Sequence, residues 1–168
     1  ETADSLAALR DAKNHGVRTL GIVNVVGSSI AREADNVMYT WAGPEISVAS
    51  TKAYSTQLAV IYLLALYIGE QLGKFTQEQL SAYIAALEKL PEQIDEMLKH
   101  KENIQFFASK YFNASDMYFI GRNVDYAASL EASLKLKEIS YIHSEAYAAG
   151  ELKHGAISVS YTHLTLPT

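Results

Sequence analysis

Three observations predict an α/β fold with parallel sheets flanked by helices. Two apolar runs, VRTLGIVNVV at 17–26 and DMYFIG at 116–121, are near-continuous rather than alternating, the pattern of strands covered on both faces. Each is followed by a turn and then by helical periodicity, so a strand–turn–helix unit occurs twice. Between the two, residues 70–112 carry helical spacing and no strand signal, which reads as a helical connector.

Each element has a local reason. In ADSLAALRDAKNH, residues 3–15, Leu6, Leu9 and Ala12 recur at helical spacing and Gly16 ends the helix. The strand at 17–26 runs into a Gly27-Ser28-Ser29 turn, a short helical turn at 30–35 and a second strand at Val37–Thr40. A loop with Gly43-Pro44 leads to Ser50, a good N-cap for a helix from Thr51 to about Gly69. Its run Leu58–Ile68 falls short of the roughly 20 residues a bilayer needs and reads as a buried helix. Thr76 and Gln79 match a capping box, with Phe75 and Leu80 at the staple positions. Two amphipathic helices then follow, divided at Pro91, to about Phe112. After the strand at 116–121, Asp125 is read as the cap of a helix to about Ser140.

Composition narrows the function. The 168 residues are 49% hydrophobic and 20% charged, with a net charge of −5. No basic patch points to nucleic acid or an anionic membrane surface. The absence of cysteine rules out disulfides, thiolate metal sites and cysteine nucleophiles within these residues, and fits a reducing cytoplasm. No metal site or cofactor is expected.

Four stretches could carry chemistry. Ser50 and Thr51 stand at the mouth of a long helix, where unpaired N–H groups and the helix dipole suit a phosphate; Ser50 as a plain cap explains the same residues. Glu1-Thr2 offers similar geometry before the first helix. Gly121-Arg122-Asn123 lies at the carboxyl end of a strand, where ligands gather in open α/β sheets, or is simply a turn. Glu131, Lys135 and Glu138 share one helix face. Leu134 and Leu136 lie about 200° apart around that helix, so it is apolar nearly all round and its charges should be buried and partnered. The trio then reads either as a core ion-pair network or as a proton-transfer carboxylate beside a lysine. Finally, GELKHG at 150–155 sets His154 in a glycine-bracketed loop, as a general acid/base or as an exposed histidine.

EISVASTKAYSTQ at 45–57, SLEASLKLKEISYIHSEAYAAGELKHG at 129–155 and ETADSLAALRDAK at 1–13 together resemble the sugar-isomerase module of the glutamine–fructose-6-phosphate aminotransferase family. The similarity covers residues 1 to about 158 in order. The resemblance implies sugar-isomerase (SIS) type phosphosugar-binding subdomains truncated at both ends: 1–69, a partial first subdomain; 70–112, the linker; 113–159, a partial second. It implies that the parent protein makes glucosamine 6-phosphate from fructose 6-phosphate and glutamine, as a cytoplasmic homodimer. Carried over by position, Glu138 is the base that moves a proton between C1 and C2, and Lys135 the lysine beside it. His154 is the histidine that opens the sugar ring, serving the neighbouring subunit. Thr2 is the last residue of a phosphate-binding loop, and Val48, Ala49 and Ser50 contact the sugar. His143 gains no role and is read as structural.

The resemblance also implies absences. The chain starts at Glu1 rather than Met and reads as a segment, without the family's glutaminase domain, imine-forming lysine or the earlier serines of the phosphate loop. Such a segment alone is expected to be inactive. Ala156 stands where the family has proline, and Ser160–Thr168 matches nothing in it; this tail, with His163, reads as non-native and is set aside. Two other readings share the module: a non-catalytic phosphosugar sensor, and a related phosphosugar isomerase or deglycase. Fold does not separate them. A sensor needs no proton-transfer base, and the GELKHG loop counts against the isomerase or deglycase.

Overall fold

The structure, a computed structural model, describes residues 2–154; the readings placed on Glu1, Ala156 and the 160–168 tail lie outside the described residues. The chain divides into two compact units, residues 1–99 and 100–168.

The first unit opens with α1 (Ala3–Asn14), capped by Thr2, whose hydroxyl accepts the Ser5 N–H. Then come β1 (Leu20–Val23), α2 (Ser29–Glu33), β2 (Asn36–Tyr39) and the long α3 (Thr51–Gln71). β1 and β2 pair in parallel from Leu20 opposite Asn36 to Val23 opposite Tyr39. Charge fastens α1 to this sheet. Arg10 grips Glu33 with two hydrogen bonds of 2.8 and 2.6 Å, and Lys13 lies 3.0 Å from Asp35. Asp35 Oδ2 accepts both the backbone N–H and the hydroxyl of Thr19 at 2.8 Å, and Thr19 Oγ1 accepts the Asp35 N–H in return. These donors, the Thr19 hydroxyl first, pull the Asp35 carboxyl down to about 2.

α4 (Gln77–Glu88) begins with both arms of the expected capping box in place, Gln79 N–H to Thr76 Oγ1 and Thr76 N–H to Gln79 Oε1. Phe75 folds back under Gly69 of α3, filling the space a side chain there would need. α5 (Leu90–Leu98) follows with Pro91 in its first turn, where a missing N–H costs nothing. The break therefore comes at Lys89 rather than at Pro91, and a second break at Lys99–His100 makes three helices where the sequence suggested two.

The second unit runs from α6 (Lys101–Tyr111) through β3 (Asp116–Gly121) and α7 (Val124–Ser140) to β4 (His143–Ala148), ending in a 3-10 turn at Leu152–His154. β3 and β4 pair in parallel, Asp116 opposite His143 to Gly121 opposite Ala148. α7 is the crossover and packs on both strands. Gly121 makes the turn possible: a Cβ there would sit 2.3 Å from the backbone of Asp125. Asn123, at φ 53°, occupies the N-cap position without a side-chain cap bond, and Asp125 lies inside the first turn rather than capping it. Ser144 is fully buried, its hydroxyl donating to the Ser133 carbonyl at 2.8 Å and lying 3.0 Å from the Ser133 hydroxyl. This pair fastens β4 to α7. β4 itself has no counterpart in the sequence reading.

The apolar helices are less covered than their composition suggests. In α3 only Val60 and Gly69 are buried, and Ile61, Tyr62, Leu63, Tyr67 and Ile68 stay exposed. In α7 only Ser133 is buried. β1 is four residues long, and Val25 and Val26 beyond it are exposed. The reason is width: among the described residues each sheet has two strands, and a two-stranded sheet covers only one stripe of a helix.

Candidate functional site

The candidate chemistry falls in both units. In the first, the loop from Thr40 to Ser50 leaves the carboxyl end of β2. Asn24, just past β1, holds its start: Nδ2 donates to the Gly43 carbonyl at 2.7 Å, and Oδ1 accepts the Ala42 N–H at 2.8 Å and the Thr40 hydroxyl at 3.1 Å. Lys52, in the first turn of α3, donates to the Pro44 carbonyl at 2.5 Å. Val48 is 92% exposed, and Ala49 is buried at 7%. Ser50 takes the N-cap position in the left-handed conformation, φ 52°, and its hydroxyl turns back to the Val48 carbonyl at 3.3 Å instead of capping α3. The capping reading of Ser50 is therefore corrected: a left-handed residue aims its side chain away from the helix N–H groups it would otherwise satisfy. Thr2, by contrast, is occupied as a cap. Its Oγ1 bonds the Ser5 N–H and lies 2.8 Å from the Ser5 hydroxyl.

In the second unit Glu131, Lys135 and Glu138 meet on one face of α7, as their spacing of four and three requires. Lys135 Nζ donates to Glu138 Oε2 at 2.7 Å and lies 3.5 Å from Glu131 Oε1. The Lys135 and Glu131 side chains are four-fifths covered and that of Glu138 two-thirds covered. The hydrogen bond that Lys135 donates to Glu138 raises the Lys135 pKa above the usual lysine range, outweighing partial burial, so the ammonium stays charged. Ser133 points to the opposite side of the helix, into β4, so the trio projects away from the sheet. Gly121-Arg122-Asn123 forms the β3–α7 turn, closed by the Asp125 N–H on the Arg122 carbonyl.

His154 ends the 3-10 turn after β4, exposed, with its N–H on the Glu151 carbonyl. No hydrogen bond or ion pair among the described residues joins it to the trio. His143, read as structural, bonds Asp116 at 2.9 Å across the paired strands. The Ser115 hydroxyl and then His143 lower the Asp116 pKa. Sequence reasoning missed Asn24 and Lys52. An asparagine just past a strand and a lysine one turn into a helix give no local signal of the backbone carbonyls they reach.

Among the described residues, two parallel two-stranded sheets, each strand followed by a helix, define an α/β class of module. The SIS domain family model matches residues 1–67 and 110–165, and the chain belongs to this family. It is 57% identical over 159 residues to a protein of Caldanaerobacter subterraneus subsp. tengcongensis named glutamine–fructose-6-phosphate aminotransferase [isomerizing], and 46% identical over 164 residues to one of that name from Thermus thermophilus. These matches cover 95% and 98% of the chain; it spans about a quarter of each relative, 26% and 27%. Among solved structures, the C-terminal domain of glucosamine-fructose-6-phosphate aminotransferase from Francisella tularensis superposes with a TM-score of 0.91 at 39% identity, over 95% of this chain and 45% of that one. A structure from Clostridium difficile 630, 24% identical with a TM-score of 0.84 over 94% of this chain and 45% of that one, shares the fold. No described helix is long and apolar enough to cross a membrane.

Proposed function

We propose that this chain is part of the isomerising module of an enzyme that makes glucosamine 6-phosphate from fructose 6-phosphate and glutamine, working in the cytoplasm as a homodimer. The observation that carries the reading is the Glu131–Lys135–Glu138 trio: two carboxylates sharing one charged lysine on a helix face that points away from its own sheet.

The chemistry calls for these groups. Turning a ketose imine into an aldose amine takes a proton from C1 and returns one to C2. Glu138 is the base that carries it, and a single carboxylate serves both carbons when the sugar is held still. Lys135, charged and anchored to Glu138, fixes the rotamer of the base and balances its charge. His154, in the neighbouring subunit's service, moves the proton at the ring oxygen when the ring opens. Thr2 and the segment Val48, Ala49 and Ser50 hold the phosphate and the sugar. Ala49, with its side chain buried, contributes through its backbone.

The test has two parts. Calorimetry of the chain with fructose 6-phosphate measures binding. In the full-length relative from Caldanaerobacter, glutamine at the position that aligns with Glu138 should lower turnover at least about 100-fold while leaving sugar-phosphate affinity intact, the loss typical of a missing acid–base group. Retained turnover in that variant would refute the assignment of the base. Binding by the unmodified full-length protein without any isomerisation would make the module a sensor.

A further inference from the structure

The loop between β2 and α3 is held in a costly conformation. Trp41 has φ 52° and Ser50 has φ 52°, the left-handed region that bulky residues avoid. Left-handed residues of this kind persist only where their surroundings over-determine them, and they cluster at ligand clamps. Two side chains supply the over-determination here. The Asn24 side chain bonds three neighbouring groups of the loop, the Thr40 hydroxyl, the Ala42 N–H and the Gly43 carbonyl, and so brackets Trp41 on both sides. Lys52 reaches from α3 to the Pro44 carbonyl and closes the segment 44–52 into a ring. Within it, Ser50 N–H bonds the Ser47 carbonyl, Ala49 is buried as an anchor, and Val48 is left almost wholly exposed.

We infer that Asn24 and Lys52 are positioning residues, which hold the Val48–Ser50 segment in the one loop conformation that takes a sugar phosphate. Neither touches the ligand; each acts on the backbone of the loop. The inference rests on the reading of Val48–Ser50 as a sugar-phosphate contact. Order in the loop is useful because a binding segment that is competent only part of the time weakens affinity in proportion to that fraction.

The experiment uses the chain with three substitutions, Asn24→Ala, Lys52→Met and Lys52→Arg. Trp41 is the only tryptophan, so its fluorescence anisotropy reports on the loop without a ligand. Hydrogen–deuterium exchange of the amides at 42–50 reports on the rest of it, and circular dichroism controls for the fold. Asn24→Ala should lower Trp41 anisotropy. Both Asn24→Ala and Lys52→Met should speed exchange at 42–50 and weaken fructose 6-phosphate binding about tenfold, as when the competent fraction falls to a tenth. Lys52→Arg, which keeps a donor within reach of Pro44, should restore binding. Unchanged anisotropy and exchange would overturn the clamp. A loosened loop with unchanged affinity would overturn its positioning role. If the wild-type chain takes up no sugar phosphate, the reading of Val48–Ser50 falls and the positioning role falls with it, while Trp41 and exchange still decide whether the clamp exists.

Discussion

Replacing Ser144 with alanine should loosen the attachment of β4 to α7 without touching any charged group. Ser144 is completely buried and Ser133 is 3% exposed. The substitution removes a hydroxyl that donates to the Ser133 carbonyl at 2.8 Å and pairs with the Ser133 hydroxyl at 3.0 Å. A net hydrogen bond is worth about 1 kcal/mol, and a polar group stranded without a partner costs about 1–3 kcal/mol. The Ser133 hydroxyl is left in a dry space, so Ser144→Ala should cost about 1–3 kcal/mol in total. Urea denaturation measures the loss, and hydrogen exchange of the β3 and β4 amides localises it. The double substitution Ser133→Ala/Ser144→Ala strands nothing, so it should be no less stable than the worse single variant, giving a coupling of about 1 kcal/mol. Single variants within about 0.3 kcal/mol of wild type, or costs that simply add in the double, would refute the argument.

Two further perturbations follow from the first unit. The folded pKa of Asp35, about 2, lies below its ordinary 3.8, so its contribution is in place above that ordinary value and is lost as pH falls through this window. Urea midpoints of wild type and Asp35→Asn measured between about pH 5 and 2 should show a shallower decline in the variant, and parallel declines would count against the Thr19 and Lys13 contacts as the cause. Thr76→Ala should cost about 1 kcal/mol and Thr76→Ser very little, as read by thermal unfolding; equal losses would mean that the capping hydroxyl contributes nothing.

The sequence showed most where one turn of chain decides the outcome. The capping box at Thr76 and Gln79 needs only residues three apart, and the Glu131–Lys135–Glu138 trio needs only helical spacing. Parallel pairing within each unit followed from two apolar runs each succeeded by a helix. What stayed hidden depends on distant partners or on backbone handedness. HSEAYA at 143–148 mixes polar and small residues, and only its register with β3 and the Ser144–Ser133 contact make it a strand. Ser50 has the composition of a cap and the dihedral angles of something else. Pro91 looked like a divider, but a proline in a first turn starts a helix as readily as it ends one. The exposure of α3 and α7 was hidden because apolar composition says what a helix could bury, not how wide a surface the described strands offer.

The trio on α7 also has an electrical balance. Two carboxylates and one ammonium carry a formal −1 together, whichever glutamate the lysine favours at a given moment. Adding one proton to Glu138 brings the group to neutrality. Lys135 keeps a counter-ion in Glu131, 3.5 Å away, when its 2.7 Å partner is discharged. A proton parked there therefore cancels charge in a mostly covered place instead of creating it, and no distant group has to move to compensate. A lone carboxylate would go from −1 to 0 with nothing to hold its orientation in the neutral state. In the role proposed for Glu138, the second glutamate gives Lys135 a charged partner in both protonation states.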